Sequence, residues 1–138
     1  MASEAALPLV VDASAAVEVV LRSEVGARAT NHMRRARLHA PAHLDAEVLS
    51  ALGRLVRAGA VDGGDAATAL ADLAVAPIER HPLAGLLVGA WRRRDTQRLS
   101  DALYVELADA LAPARLLTAD ARLARSDLPA PVVLVKPD

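Results

Sequence analysis

Four carboxylates carry the chemistry this sequence offers: Asp12, Glu47, Asp101 and Asp120. The chain has 17 acidic residues, and most belong on solvated surface. These four occupy positions that a solvated charge does not need. Asp12 ends the apolar stretch PLVVDAS, and Asp120 follows ARLLT. Asp101 opens the helical segment LSDALYVELADAL, at N1 or N-cap beside Ser100. Glu47 borders the apolar stripe of its helix instead of opposing it. Each has a plain structural alternative. Asp12 and Asp120 can cap the helices that follow them, a contribution of about 1 kcal/mol. Asp101 can complement a helix dipole, worth roughly 0.3–1 kcal/mol. Glu47 can lay its stem on apolar surface and reach water with its head.

Taken together the four readings change. Two carboxylates about 4 Å apart repel by about 4 kcal/mol at an effective dielectric near 20. A convergent set of four therefore requires protonation or a cation. Oxygen-only ligands suit Mg²⁺ or Mn²⁺, and a hard divalent ion polarises phosphate and activates water for in-line attack.

The elements that would bring them together are short apolar strands alternating with helices. PLVVDAS reads as a buried strand ending at Asp12, followed by helices over about 13–22 and 24–35. RLHAP is a second strand, stopped by Pro41. A helix over about 42–58 carries Leu44, Val48, Ala51, Leu52 and Leu55 on one stripe, with Gly59 as its C-terminal cap. Another helix starts near Gly63 after the turn VDGGD. VAPIER is a weak third strand, PLAGLLVGAWRRR a short apolar helix with a basic end, and Leu99–Leu111 the next helix, with Leu103, Leu107 and Leu111 stacked. ARLLTAD gives a fourth strand, a short helix runs through Leu123, and PVVLVK gives a fifth. The alternation predicts an α/β fold: one domain over residues 1–138, with a central parallel sheet of about five strands flanked by helices on both faces. Ligands bind such sheets beyond the carboxyl ends of the strands, near a topological switch point. Asp12 and Asp120 both stand there.

Composition narrows the chemistry. Hydrophobic residues make up 54% of the 138, yet the only aromatics are Trp91 and Tyr104. The core must be built from Leu, Val and Ala, and both aromatics are expected in core or interface. There is no Cys, which excludes disulfide scaffolds, thiolate zinc sites and Cys nucleophiles and fits a reducing cytoplasm. The start, MASEAALPLVV, lacks a basic flank and carries Glu4, so it reads poorly as a signal peptide. LAGLLVGAW is too short to span a bilayer. With a formal net charge of −1, nucleic-acid binding would need a local basic patch or metal ions.

The segments VVDAS, LDAEVLSAL, LSDALYVELADAL and LLTADARL resemble, in order and spacing, the PIN-domain ribonucleases, and most of all the VapC toxins of bacterial toxin–antitoxin pairs. The resemblance spans nearly the whole chain. It implies that Asp12, Glu47, Asp101 and Asp120 form the acidic metal-binding and catalytic set, with Ser14 and Thr118 as flanking hydroxyls. It also implies a PIN-like α/β/α fold and Mg²⁺- or Mn²⁺-dependent endonucleolytic cleavage of RNA. Homodimers and inhibition by a cognate VapB-like antitoxin belong to the same expectation.

WRRRDTQRLSD places Arg92, Arg93, Arg94 and Arg98 just before Asp101 in sequence, a candidate phosphate-binding run, although such runs are usually solvated helix ends. HMRRAR is a second basic patch. His39 and His43 have the four-residue spacing of helical zinc pairs, but Pro41 between them disfavours one helical face. No P-loop, G-x-G-x-x-G or G-x-S-x-G occurs. Two rival functions remain. An aspartyl-phosphate phosphatase or receiver-like domain would share the sheet, but LVVDAS has neither Asp-x-Asp nor an acidic pair, although Lys136 exists. A PIN-like module that binds RNA or protein without cutting would keep the fold and lose the acids, all of which are present.

Overall fold

In a computed structural model, residues 6–137 are described. The segment around Glu4 lies outside them. The chain runs β1 (Pro8–Val11), α1 (Ala13–Val20), α2 (Glu24–Met33), β2 (Arg37–Pro41), α3 (Leu44–Arg57), α4 (Gly63–Val75) and β3 (Ile78–His81). A 3₁₀ turn (Ala84–Leu86) and α5 (Leu87–Arg92) follow, then α6 (Leu99–Ala110), β4 (Arg115–Thr118), α7 (Ala121–Ala124) and β5 (Val132–Leu134).

All pairings are parallel and the strand order is β3-β2-β1-β4-β5. The chain builds outward from β1 through β2 to β3, then crosses back to lay β4 on the other side of β1. The switch point is therefore the crevice between the carboxyl ends of β1 and β4. Leu9, Val10 and Val11 have no exposed surface, as a central strand covered on both faces requires. Leu44, Val48 and Leu52 pack α3 onto this core.

Several boundaries differ from the expectations above, each for a local reason. The third strand begins at Ile78, after Pro77, which has no N–H to donate to the ladder. The apolar segment after it divides into a 3₁₀ turn and α5. Residues 42 and 43 form a turn, and α3 starts at Leu44. On α6 the buried face is Ala102, Tyr104, Val105, Leu107 and Ala108, while Leu103 and Leu111 are only partly buried. The small Ala102 and Ala108 on this face let the helix sit close to the sheet. Gly59, one residue past the last capping position of α3, takes φ +75, the left-handed conformation glycine tolerates. Gly26 serves a different need: a Cβ there would lie 2.0 Å from the Glu18 carbonyl oxygen, so α2 approaches α1 only without a side chain. Among the described residues no helix is long and apolar enough to cross a membrane.

Candidate active site

Asp12 stands immediately after β1 and caps α1. Its Oδ1 accepts from the Ala15 N–H at 3.0 Å and the Ser14 hydroxyl at 2.7 Å. Its Oδ2 accepts from the Thr118 hydroxyl at the end of β4. The side chain is nearly buried, 5% exposed. Burial pushes its pKa up to about 6. The hydrogen bonds from Thr118, Ala15 and Ser14 oppose that rise, and the neighbouring Asp101 charge adds to it.

The two predicted hydroxyls stitch the switch point together. Ser14 Oγ lies 3.2 Å from Thr118 Oγ1 and accepts from the Ala119 N–H at 2.9 Å. Thr118 Oγ1 accepts from the Asp120 N–H at 3.0 Å. The ends of β1 and β4 are thus joined through side chains from opposite ends of the sequence.

Asp120 caps α7, accepting from the Arg122 N–H at 2.9 Å. Asp101 is the third residue of α6, not its cap or first residue. The cap is Arg98, whose side chain makes no capping bond. Asp101 still lies in the first turn, where the dipole favours a carboxylate. Between Asp101 and Asp120 sits a group the sequence reading did not single out. Arg122 Nη2 is 2.7 Å from Asp101 Oδ2 and 2.9 Å from Asp120 Oδ2. The hydrogen bond to Asp101 leads the influences that raise its pKa.

Glu47, in the first turn of α3, reaches the same cavity and is only partly exposed. The buried Tyr104 hydroxyl donates to Glu47 Oε1 at 2.7 Å, and His43 Nε2 lies 3.2 Å from the same oxygen. His43 Nε2 also lies 3.1 Å from the Ser100 carbonyl, tying the start of α3 to the start of α6. Burial and the Glu47 carboxylate push the Tyr104 phenol far above its usual range, so it remains a donor. Tyr104 is therefore a core residue with a polar tip, in keeping with the expectation for it.

All four predicted acids, with Ser14 and Tyr104, line one open cavity of about 430 Å³. Of the predicted arginine run only Arg98 joins its lining, together with Arg54. Arg93 is paired with Glu106 and lies 3.9 Å from Asp109. Arg94 stacks on Trp91 at 4.8 Å, and Arg92 is exposed. Adjacency to Asp101 in sequence does not carry Arg92, Arg93 or Arg94 to the cavity, because α5 ends before the chain turns into α6. His39 and His43 fall on a strand and a turn and share no helical face.

The PIN-domain family profile matches residues 9–128, which hold the entire cavity lining. This chain is a PIN-domain protein of the VapC type. It is 54% identical over 119 residues to Ribonuclease VapC3 of Mycobacterium tuberculosis, covering 86% of each chain. It is 36% identical over 118 residues to Ribonuclease VapC12 of the same organism, covering 86% of this chain and 91% of that one. The crystal structure of PAE2754 from Pyrobaculum aerophilum matches with a TM-score of 0.64 at 25% identity, covering 94% of this chain and 87% of that one. PIN-domain membership accounts for the five-stranded parallel sheet.

The donor set fits a hard divalent cation. Carboxylate oxygens from four elements face one cavity without a thiolate. The buried Asp12 ionises reluctantly, so positive charge is wanted beside it. A guanidinium nitrogen already bridges Asp101 and Asp120, which marks that space as one that accepts a cation.

Proposed function

We propose that this PIN-domain protein is an Mg²⁺- or Mn²⁺-dependent endoribonuclease, the toxin of a toxin–antitoxin pair. The observation that carries the reading is the single cavity at the β1–β4 switch point lined by Asp12, Glu47, Asp101 and Asp120. The names of its relatives, ribonucleases of the VapC type, support the substrate class.

Asp12, Asp101 and Asp120 would hold the cation directly or through water. Glu47 would complete the set or orient the attacking water. Bound there, a hard divalent ion would polarise the scissile phosphate and lower the pKa of water. The chain's own residues do the rest. Ser14 and Thr118 fix both oxygens of Asp12, so its carboxylate has one orientation. Tyr104 and His43 hold Glu47 Oε1 and leave Oε2 for a water or a ligand. Arg54 and Arg98 on the rim supply positive charge for the RNA backbone. The PIN-domain match over residues 9–128 speaks against the aspartyl-phosphate rival.

The toxin reading extends to partners. A cognate VapB-like antitoxin would silence the enzyme, and an arginine donated to this acidic pocket would compete with the cation. The exposed apolar face of α5, with Leu87, Val88 and Trp91, supports a homodimer. Action in the cytoplasm belongs to the same toxin reading.

The test is cleavage of RNA by the purified chain with Mn²⁺ or Mg²⁺, beside Asp101→Asn. We expect cleavage that chelator abolishes and that the variant loses by roughly 100-fold or more, with an unchanged circular dichroism spectrum. Equal cleavage by both proteins would remove Asp101 from the site. RNA retention without cleavage in Mn²⁺ would make the protein a binding module.

A further inference from the structure

Three side chains able to ligate a metal meet at the β2–β3 edge of the sheet, and none of them lines the acidic cavity. Strand geometry brings them there. The parallel register sets His39 opposite Glu79 and Pro41 opposite His81. Side chains alternate along a strand, so Glu79 and His81 share a face and Arg80 points to the other, where it binds Asp45. His39 joins the first pair from the neighbouring strand.

Their ligand atoms form a tight triangle. His39 Nδ1 is 2.9 Å from His81 Nε2 and 3.0 Å from Glu79 Oε2, and His81 Nε2 is 3.3 Å from Glu79 Oε2. Protons alone do not satisfy this triangle. Each ring nitrogen offers one site, either an N–H or a lone pair, and an ionised carboxylate only accepts. Two hydrogen bonds to Glu79 require an N–H on both rings, which leaves two N–H groups facing each other at 2.9 Å. One hydrogen bond between the rings requires a bare nitrogen, which then faces the carboxylate oxygen. With the carboxylate ionised, every arrangement of protons leaves one edge repulsive. A cation removes the conflict, because all three atoms then point lone pairs at it. Ligands held about 2.0–2.1 Å from a zinc-sized ion stand roughly 2.9–3.4 Å from one another in octahedral or tetrahedral order. The triangle has that size.

We infer that His39 Nδ1, Glu79 Oε2 and His81 Nε2 form a second metal site, built for a borderline transition cation such as Zn²⁺. Two imidazoles and one carboxylate favour Zn²⁺, Ni²⁺ or Cu²⁺ over Mg²⁺, so the site differs in metal class from the all-oxygen cavity. Glu79 is largely exposed, so a remaining coordination position opens to water. The cation would clip the edge strand β3 to β2. It would also brace the corner that leads to Glu47, because the His81 carbonyl accepts from the Ala42 N–H at 2.8 Å just before α3.

The experiment uses the full chain, stripped with chelator, titrated with Zn²⁺ by calorimetry and with Co²⁺ by visible absorption. An Asp12→Asn/Asp101→Asn double variant disarms the acidic cavity. We expect that double variant to bind one equivalent of Zn²⁺, with a rise in melting temperature and no competition from millimolar Mg²⁺. Adding His81→Gln or Glu79→Gln, both on the edge strand, should weaken Zn²⁺ at least ~10-fold while the circular dichroism spectrum stays native. In the otherwise unaltered chain, His81→Gln should remove the Co²⁺ absorption and spare Mn²⁺ binding. Zn²⁺ affinity indifferent to His81 and Glu79, or no Zn²⁺ bound by the double variant, would overturn the site.

Discussion

Arg122 and Asp101 are joined by a 2.7 Å contact from Nη2 to Oδ2, and the same nitrogen lies 2.9 Å from Asp120. A guanidinium from the chain itself thus takes the position between two of the proposed metal ligands. A divalent cation arriving there must displace or share that contact. The Arg122 side chain is 40% exposed, so water and salt screen the pair and the competition is modest. Arg122→Ala should therefore tighten Mn²⁺ binding roughly two- to fivefold, read by calorimetry or by the paramagnetic signal of free Mn²⁺. Weaker binding would show that Arg122 orients the carboxylates and does not compete for them.

Asp12 carries a conflict between stability and function. Its pKa is about 6 when folded against an ordinary 3.8. Between those values the folded chain holds a proton that the unfolded chain has released. Metal-free stability should therefore fall as pH rises from 4 to 6, by up to about 3 kcal/mol, and stay level above. Asp12→Asn removes the buried charge. In chelator at pH 7.5 the variant should be more stable than the parent by about 1–3 kcal/mol, and the gain should vanish near pH 4. Urea denaturation at the two pH values checks both statements, and cleavage should be lost although the fold is firmer.

Tyr104→Phe deletes one hydroxyl and no ring. The buried phenol donates to Glu47, leaving His43 as the other partner of that oxygen. Loss of this bond should cost about 1 kcal/mol of stability. Because Glu47 then loses its fixed orientation, kcat should drop roughly tenfold with KM little changed. A rise in KM alone would place Tyr104 in RNA binding instead.

The cavity arginines should separate from the run on α5. Arg54→Ala and Arg98→Ala should each reduce the salt dependence of RNA binding by about one unit of slope. Arg92→Ala and Arg94→Ala should leave the slope unchanged. Arg93→Ala should act on folding, since Arg93 ties α5 to Glu106 on α6. Filter binding between low and moderate salt distinguishes the three outcomes.

The sequence was readable where one residue's neighbours decide its place. Asp12 follows an apolar strand, and a charge at such a strand end stands at the edge of a parallel sheet. Asp120 was readable for the same reason. Asp101 lies two positions beyond N1 and three beyond the N-cap, and no capping side chain marks the start of α6. The contacts that escaped are set by pairing between distant segments. Nothing in the order of residues says that His39 will face Glu79 and His81, since that depends on the β2–β3 register. Arg122 looked like an ordinary side chain of a four-residue helix. Its role depends on where α6 delivers Asp101. For the arginine run, nearness along the chain to Asp101 brings only Arg98 into the cavity lining.

The crossing of the chain from β3 back to β4 has a consequence for synthesis. Asp12 and Glu47 leave the ribosome before Asp101 and Asp120, which follow only after the crossing. The bond between Ser14 and Thr118 joins residues 104 positions apart. Until β4 slots in beside β1, Asp12 lacks its Thr118 partner and the cavity lacks half its acids. On the proposed function, a growing chain that has not yet presented Asp101 and Asp120 is inactive, and the site is armed only once β4 is in place.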